Sequence, residues 1–197
     1  MKMNTLKSKV ICVGRNYVEH IYELNNETPE NPVIFLKPNS SISKTLKLSD
    51  KREIHYECEI VFSFDNKSKI KAVGVGLDLT DRKLQSTLKA KGLPWELAKA
   101  FDNSAVISDF VEISENETPK LSFKAYKNDI LIQYGNYELM MYKPGQIIEF
   151  LKDNDISICE NDLLMTGTPK GVGIVGINDK FKIKLFCDNN KILETNF

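Results

Sequence analysis

One stretch constrains the fold of this chain more than any other. Glu53-Ile-His-Tyr-Glu-Cys-Glu-Ile-Val-Phe62 reads as a strand with an apolar face and an acidic one. At period two, Tyr56, Cys58, Ile60, Phe62 and Phe64 point one way, and His55, Glu57 and Glu59 the other. The first face is apolar enough to pack on a core. The second holds two acids about 7 Å apart along the strand, within reach of one cation. A third acid, Asp78, lies in Gly74-Val-Gly-Leu-Asp-Leu-Thr80, a Gly-punctuated apolar run that also reads as a strand. Three hard oxygen donors on two rigid elements suit a divalent metal. The plainer reading of such acids is a solvated sheet face.

Size and charge narrow the class. A chain of 197 residues, 42% of them hydrophobic, suits one globular domain with a full core. Its 27 basic and 27 acidic residues cancel without gathering a basic patch, which disfavours nucleic-acid and acidic-membrane partners. No apolar run is long enough to span a bilayer, and Met1–Lys7 lacks a signal-peptide core, so a cytoplasmic location is expected. Cys12, Cys58, Cys159 and Cys187 form no CxxC pair and read as reduced, mostly buried thiols. With only two histidines a His-rich zinc site is excluded, and oxygen ligands point to Mg²⁺ or Mn²⁺.

Hydrophobic periodicity places the remaining elements. Residues 9–14 read as a short buried strand ended by Gly14, and Arg15–Leu24 as a helix with Tyr17, Ile21 and Leu24 at helical spacing. Asn25–Pro32 is a loop by composition, Val33–Leu36 a strand, and 38–50 loop-like. Asp81–Lys91 has helical composition, broken by Gly92-Leu-Pro94, and Pro144 opens another helix. Leu163–Glu194 alternates strand runs with Gly or Asn-Asp turns. Strands outnumber helices without regular alternation, which predicts an α+β fold.

Four further features bear on chemistry. Gly171-Val-Gly-Ile-Val-Gly176 formally matches GxGxxG, but a strand-like run, Phe181–Phe186, follows it instead of a helix, so a dinucleotide fold is rejected. His20 and Glu23 stand three apart on the predicted helix, either as an ordinary polar face or as a histidine oriented by a carboxylate to act as a base. Lys99 lies in the apolar stretch Leu93–Phe101, either snorkelling to water or aimed at an anion. Met165–Gly173 is a Gly-rich turn, either a hairpin or a nest of N–H groups for a carboxylate.

As a set and in this order, these motifs resemble the fumarylacetoacetate hydrolase family, in its short acylpyruvate hydrolase and oxaloacetate decarboxylase branch. The matching pieces are Cys12-Val-Gly-Arg-Asn-Tyr17 with His20 and Glu23, Pro32–Pro38, and His55-Tyr-Glu-Cys-Glu59. They continue with Asp78–Gln85, Lys91–Phe101 and Asp162–Gly173. The resemblance implies a mixed β-roll and a homodimer. It implies a division into 1–50 (strand, lid helix and loop) and 51–197 (metal-binding β-rich core), within one compact domain. Glu57, Glu59 and Asp78 match metal ligands for Mg²⁺ or Mn²⁺. Lys99 matches a position beside the metal, and Arg15, Arg82, Gln85, Gly167 and Thr168 match positions around a 2-oxo acid substrate. His20 and Glu23 fall on the helix that closes over ligand. Two departures stand out. Only Phe64–Ala72 joins the acidic strand to the Asp78 strand, and Lys83 replaces an acid.

The implied activity is metal-dependent C–C bond hydrolysis of an acylpyruvate through the enolate of pyruvate, with His20 oriented by Glu23 as base and Lys99 as electrostatic stabiliser. Oxaloacetate decarboxylation and 2-oxo-acid tautomerisation or isomerisation use the same centre and remain open. So does a metal- or 2-oxo-acid-binding protein without turnover.

Overall fold

The computed structural model describes residues 8–49 and 52–197, so Met1–Lys7 and the last residue of the predicted 38–50 loop lie outside the described residues. The chain runs β1 (Val10–Gly14), α1 (Val18–Glu23), β2 (Val33–Lys37), β3 (Ile42–Ser43), β4 (Ile54–Tyr56), β5 (Cys58–Phe64) and β6 (Ile70–Asp78). It continues with β7 (Thr80–Asp81), α2 (Arg82–Ala90), α3 (Glu96–Lys99), β8 (Ala105–Ile107), β9 (Val111–Glu112), β10 (Leu121–Lys127) and β11 (Ile130–Asn136). The last elements are α4 (Pro144–Asp153), β12 (Leu163–Met165), β13 (Gly173–Ile174), β14 (Phe181–Cys187) and β15 (Asn190–Asn196).

These elements build a mixed α+β roll. The main sheet is ordered β2-β1-β12-β5-β6-β8-β3, with β9 against β6; smaller sheets are β11-β10-β14-β15 and β13-β4-β7. Most pairs are antiparallel, but β1 lies parallel to β12 and β3 to β8. The central strands β5 and β6 are buried on both faces, so their sequences are apolar on alternate positions and small, apolar or acidic on the others. Phe62, Phe64, Val73, Leu77, Phe123, Phe181 and Leu185 form the shared core between the main sheet and the β10–β14 sheet. The hairpins β10–β11 and β14–β15 turn on Asn128-Asp129 and Asp188-Asn189, all four residues at positive φ, the backbone a tight hairpin requires. Among the described residues no helix is long and apolar enough to cross a membrane.

Three expectations are corrected. The acidic run is two strands, not one. It breaks at Glu57, with β4 pairing β13 and β7 while β5 joins the main sheet. At the break the Glu57 carbonyl accepts the Asp78 N–H at 2.8 Å, which brings two of the acids together. The face carrying the acids is buried, not solvated. The predicted helix Arg15–Leu24 shrinks to α1, because Arg15 takes a positive φ of 56° and Tyr17 is extended. Asn16 is held there by side-chain bonds to the Thr166 and Tyr142 carbonyls, at 2.8 and 3.0 Å. The helices α2 and α4 fall where the sequence places them. Asp81 caps α2 by accepting the Leu84 N–H at 3.0 Å. The short β5–β6 connection is closed by the Asp65 carboxylate, which accepts the N–H groups of Lys67 and Lys69. Lys83 is exposed on α2.

Candidate metal centre

Glu57, at the β4–β5 break, Glu59, on β5, and Asp78, at the end of β6, converge so that one carboxylate oxygen from each lies within 4.8 Å of the others. All three are nearly inaccessible, Glu57 being the most open at 6%. The chain concentrates this charge because β5 and β6 pair in register, Cys58 with Leu77 and Glu59 with Gly76, which aligns their inward side chains.

Cations answer two of the three acids. Lys99, at the end of α3, places its ammonium 2.8 Å from both Glu57 and Asp78, so it does not snorkel to water. Arg82, at the start of α2, pairs with the other Glu57 oxygen and holds Gln85 Oε1 at 2.8 Å. Lys37, fully buried at the end of β2, is 2.8 Å from Asp78 and donates to the Lys99 carbonyl and to Ser104. Glu59 differs. Among the described residues its carboxylate accepts only the Gly167 N–H, at 2.7 Å, and no Lys, Arg or His reaches it.

Proton affinities follow from this geometry. Burial pushes Glu57 upward, but Lys99, Arg82 and His20 together hold it well below the ordinary carboxylate range. Burial, then Asp78 and Glu57, push Glu59 well above that range. Burial lowers Lys99, and Asp78 and Glu57 more than restore it, so it stays charged. A dry cluster of three acids in which one lacks a counter-charge is a place where a divalent cation is stabilising. The donor set, carboxylate oxygens only, fits Mg²⁺ or Mn²⁺ and does not suit soft metals.

The turn after β12 forms one wall. Gly167 has φ +92°, and a Cβ there would lie 2.8 Å from the Asn16 Cβ and 2.9 Å from the Val13 carbonyl, so glycine alone lets its N–H approach Glu59. The Thr168 hydroxyl donates to the Cys58 carbonyl at 2.9 Å and accepts from Gln133 at 2.8 Å, so its side chain fastens the turn to β5. Gln133 also holds the Cys58 N–H and the Pro169 carbonyl.

Helix α1, the expected lid, packs against the turn after β12. His20 Nδ1 lies 3.0 Å from Glu23 Oε2, and the other Glu23 oxygen accepts the Gly171 N–H at 2.9 Å. His20 is buried, and it lies near enough to Glu57 for its charge to favour that carboxylate. Arg15 does not touch the triad; its guanidinium donates to the Glu27 carbonyl at 3.3 Å. A cavity of about 360 Å³ opens beside Lys99, walled by Phe35, Leu93, Pro94 and Trp95.

Sequence reading missed Lys37, Asn16 and Gln133. Lys37 carried a signal: Val33, Phe35 and Lys37 share one face of β2 at period two, which places the lysine inward. Asn16 and Gln133 carried none, because their partners lie at least 35 residues away along the chain.

Comparison with known proteins gives concordant results. The family profile described as fumarylacetoacetate (FAA) hydrolase C-terminal matches residues 9–194. The chain is 32% identical over 246 residues to the mitochondrial oxaloacetate tautomerase FMP41 of Saccharomyces cerevisiae, covering 100% of this chain and 95% of that protein. It is 34% identical over 196 residues to the oxaloacetate tautomerase YcgM of Escherichia coli, covering 89% and 87%. The crystal structure of fumarylpyruvate hydrolase from Pseudomonas aeruginosa in complex with Mn²⁺ and pyruvate superposes with a TM-score of 0.84. It has 26% identity and covers 95% of this chain and 87% of that one.

Proposed function

The chain belongs to the fumarylacetoacetate hydrolase family, and from that premise we propose that it is a divalent-metal enzyme interconverting the enol and keto forms of an oxaloacetate-type 2-oxo acid. The observation that carries this reading is the convergence of three buried carboxylates with a charged lysine, beneath a histidine held by its own carboxylate. The names of the yeast and bacterial relatives support the substrate and the reaction.

Glu57, Glu59 and Asp78 would hold the cation. When bound, it supplies Lewis-acid polarisation of a 2-oxo carbonyl. Lys99 keeps a fixed positive charge beside the oxygen on which negative charge develops, an interaction worth about 3 kcal/mol in a water-excluded site. Arg82 and Gln85, on one face of α2, orient the substrate's near carboxylate. The TGTP turn presents backbone N–H groups, with Gln133 and the Thr168 side chain fixing its path. Glu23 engages His20 Nδ1, which leaves Nε2 to take a proton from the carbon beside the 2-oxo group and deliver it to the 2-oxo oxygen, or the reverse, as C=O and C=C exchange. No bond to carbon other than C–H is broken, and no oxidant is needed. The docked helix keeps water from the site during the transfer.

A second reading is favoured by the same pair. His20 with Glu23 is equally arranged to take a proton from water, the step that begins C–C bond hydrolysis of an acylpyruvate. The two are separated by following the ultraviolet decay of enol oxaloacetate and the release of pyruvate from acetylpyruvate, each with Mg²⁺ and with EDTA. The proposal expects metal-dependent acceleration of the first and a loss of about 10²-fold in His20→Asn. Faster cleavage of acetylpyruvate makes the protein a hydrolase. Pyruvate from oxaloacetate without need of His20 makes it a decarboxylase. Stabilisation by metal without any turnover leaves a binding protein.

We also read the molecule as a homodimer. The edge strand β11 exposes Ile130, Leu131 and Tyr134, which supports a covered surface there. Sedimentation at a single-chain mass would overturn it.

A further inference from the structure

The face of α2 that meets the site continues past the residues used above. Arg82, Gln85 and Lys89 stand at i, i+3 and i+7, so they share one face over two turns. Side chains on a helix lean toward its N-terminus, which tips Lys89 back over Gln85 toward the acids. Its ammonium rests 4.7 Å from the centre of the Trp95 ring, beside the cavity next to Lys99. Among the described residues no carboxylate pairs with Lys89. Arg15 approaches the same place from the end of β1, its backbone in the left-handed region, with a buried Nε that finds no hydrogen-bond partner. Arg82 is already engaged by Glu57 and Gln85. Arg15 otherwise donates only to the Glu27 carbonyl, so among the described residues neither Lys89 nor Arg15 has a carboxylate partner.

We propose that Lys89, flanked by Arg15, binds the far carboxylate of the substrate and thereby selects dicarboxylic over monocarboxylic 2-oxo acids. This rests on the reading above only in that the triad receives the near end of the substrate. The charge balance supports it. Burial first, then Arg15 and Arg82, pull the Lys89 ammonium down to about 8, with Lys99 adding to the effect and Glu57 opposing it. An anion placed among these groups relieves that repulsion, whereas a methyl group in its place leaves it intact. The selectivity therefore fades as pH rises above about 8, where Lys89 loses its proton.

Malate and 2-hydroxybutanoate form a non-reacting pair that differs by a carboxylate against a methyl. Their affinities are measured by calorimetry in the presence of Mg²⁺ for wild type, Lys89→Met and Lys89→Arg. The expected result is malate at least tenfold tighter than 2-hydroxybutanoate in wild type, a preference erased by Lys89→Met and kept by Lys89→Arg. Equal affinities in wild type, parallel loss of both ligands in Lys89→Met, or no binding of either ligand overturns the assignment. Turnover of enol oxaloacetate is followed separately. An intact malate preference without turnover upholds Lys89 and sinks the tautomerase reading.

Discussion

The floor and the lid of the site are built on different physical terms. The floor sits on β5 and β6, the long central strands of the main sheet, with Glu57 and Asp78 locked by Lys37, Lys99 and Arg82 and Glu59 held by the Gly167 N–H. The lid is a helix of six residues, docked through Glu23 to the Gly171 N–H and through Glu19 to Lys170 at the surface. The floor's geometry is thus determined by the energetics of the whole fold, while α1 adds only a single buried apolar anchor, Ile21, to polar contacts of marginal strength. An enzyme that must admit substrate and then exclude water needs both. Changes in the floor should register as stability and metal binding, and changes in the lid as rate.

The largest effect expected is from Lys37→Met. It leaves Asp78 facing Glu57 and Glu59 with one buried counter-charge fewer, a loss of about 3–5 kcal/mol. A fall in Tm of about 10 °C on calorimetry follows for a domain of this size. An unchanged Tm would break the claim that the floor is part of the core.

Glu59→Gln comes next. Wild type should gain about 2.7 kcal/mol at a Mg²⁺ concentration 100 times its dissociation constant. The variant should gain nothing, since the acid lacking a counter-charge has been neutralised. Thermal melts with and without Mg²⁺ check this, and an equal response in both proteins would move the cation elsewhere.

How much of this contrast was legible in the sequence follows the same division. Glu57, Glu59, Asp78 and Lys99 could be picked out by position, but their burial could not: period-two alternation read the acids as a solvated face, and only the family resemblance gathered them into one site. The spans of α2 and α4 were visible from their punctuation, Gly92-Leu-Pro94 and Pro144. The break at Glu57 was not, because it arises from β4 leaving the main sheet to pair with β13, more than 100 residues along the chain. Nor was the shortening of α1, which is imposed by Asn16 reaching Thr166 and Tyr142. Local pattern thus records which groups are costly to bury, and long-range pairing decides where they meet.

Glu23→Gln sharpens the comparison from the lid side. Turnover should fall by about 10²-fold, with stability changed by about 0.5 kcal/mol or less. Steady-state rates beside a thermal melt separate the two, and a loss of stability without loss of rate would make α1 structural.

The smallest effect concerns Lys89 and pH. Its folded value, about 8, lies below that of a free lysine, so the unfolded chain binds more protons between the two values. The Lys89 contribution to stability therefore rises slightly as pH climbs above about 8, by about 1 kcal/mol at most after solvent screening. Buried Cys12 and Cys58, whose thiols are pushed up by burial, lower stability over the same window in both proteins, so the Lys89 contribution is read as the difference: in urea melts at pH 7 and 10 wild type should gain relative to Lys89→Met. The same pH dependence in both proteins would leave Lys89 without a part in it.

The most direct test of the account is the anomalous scattering of crystals grown with Mn²⁺. The account predicts one strong peak about 2.1 Å from an oxygen each of Glu57, Glu59 and Asp78. A triad without a peak, its acids still bridged by Lys99, would contradict it.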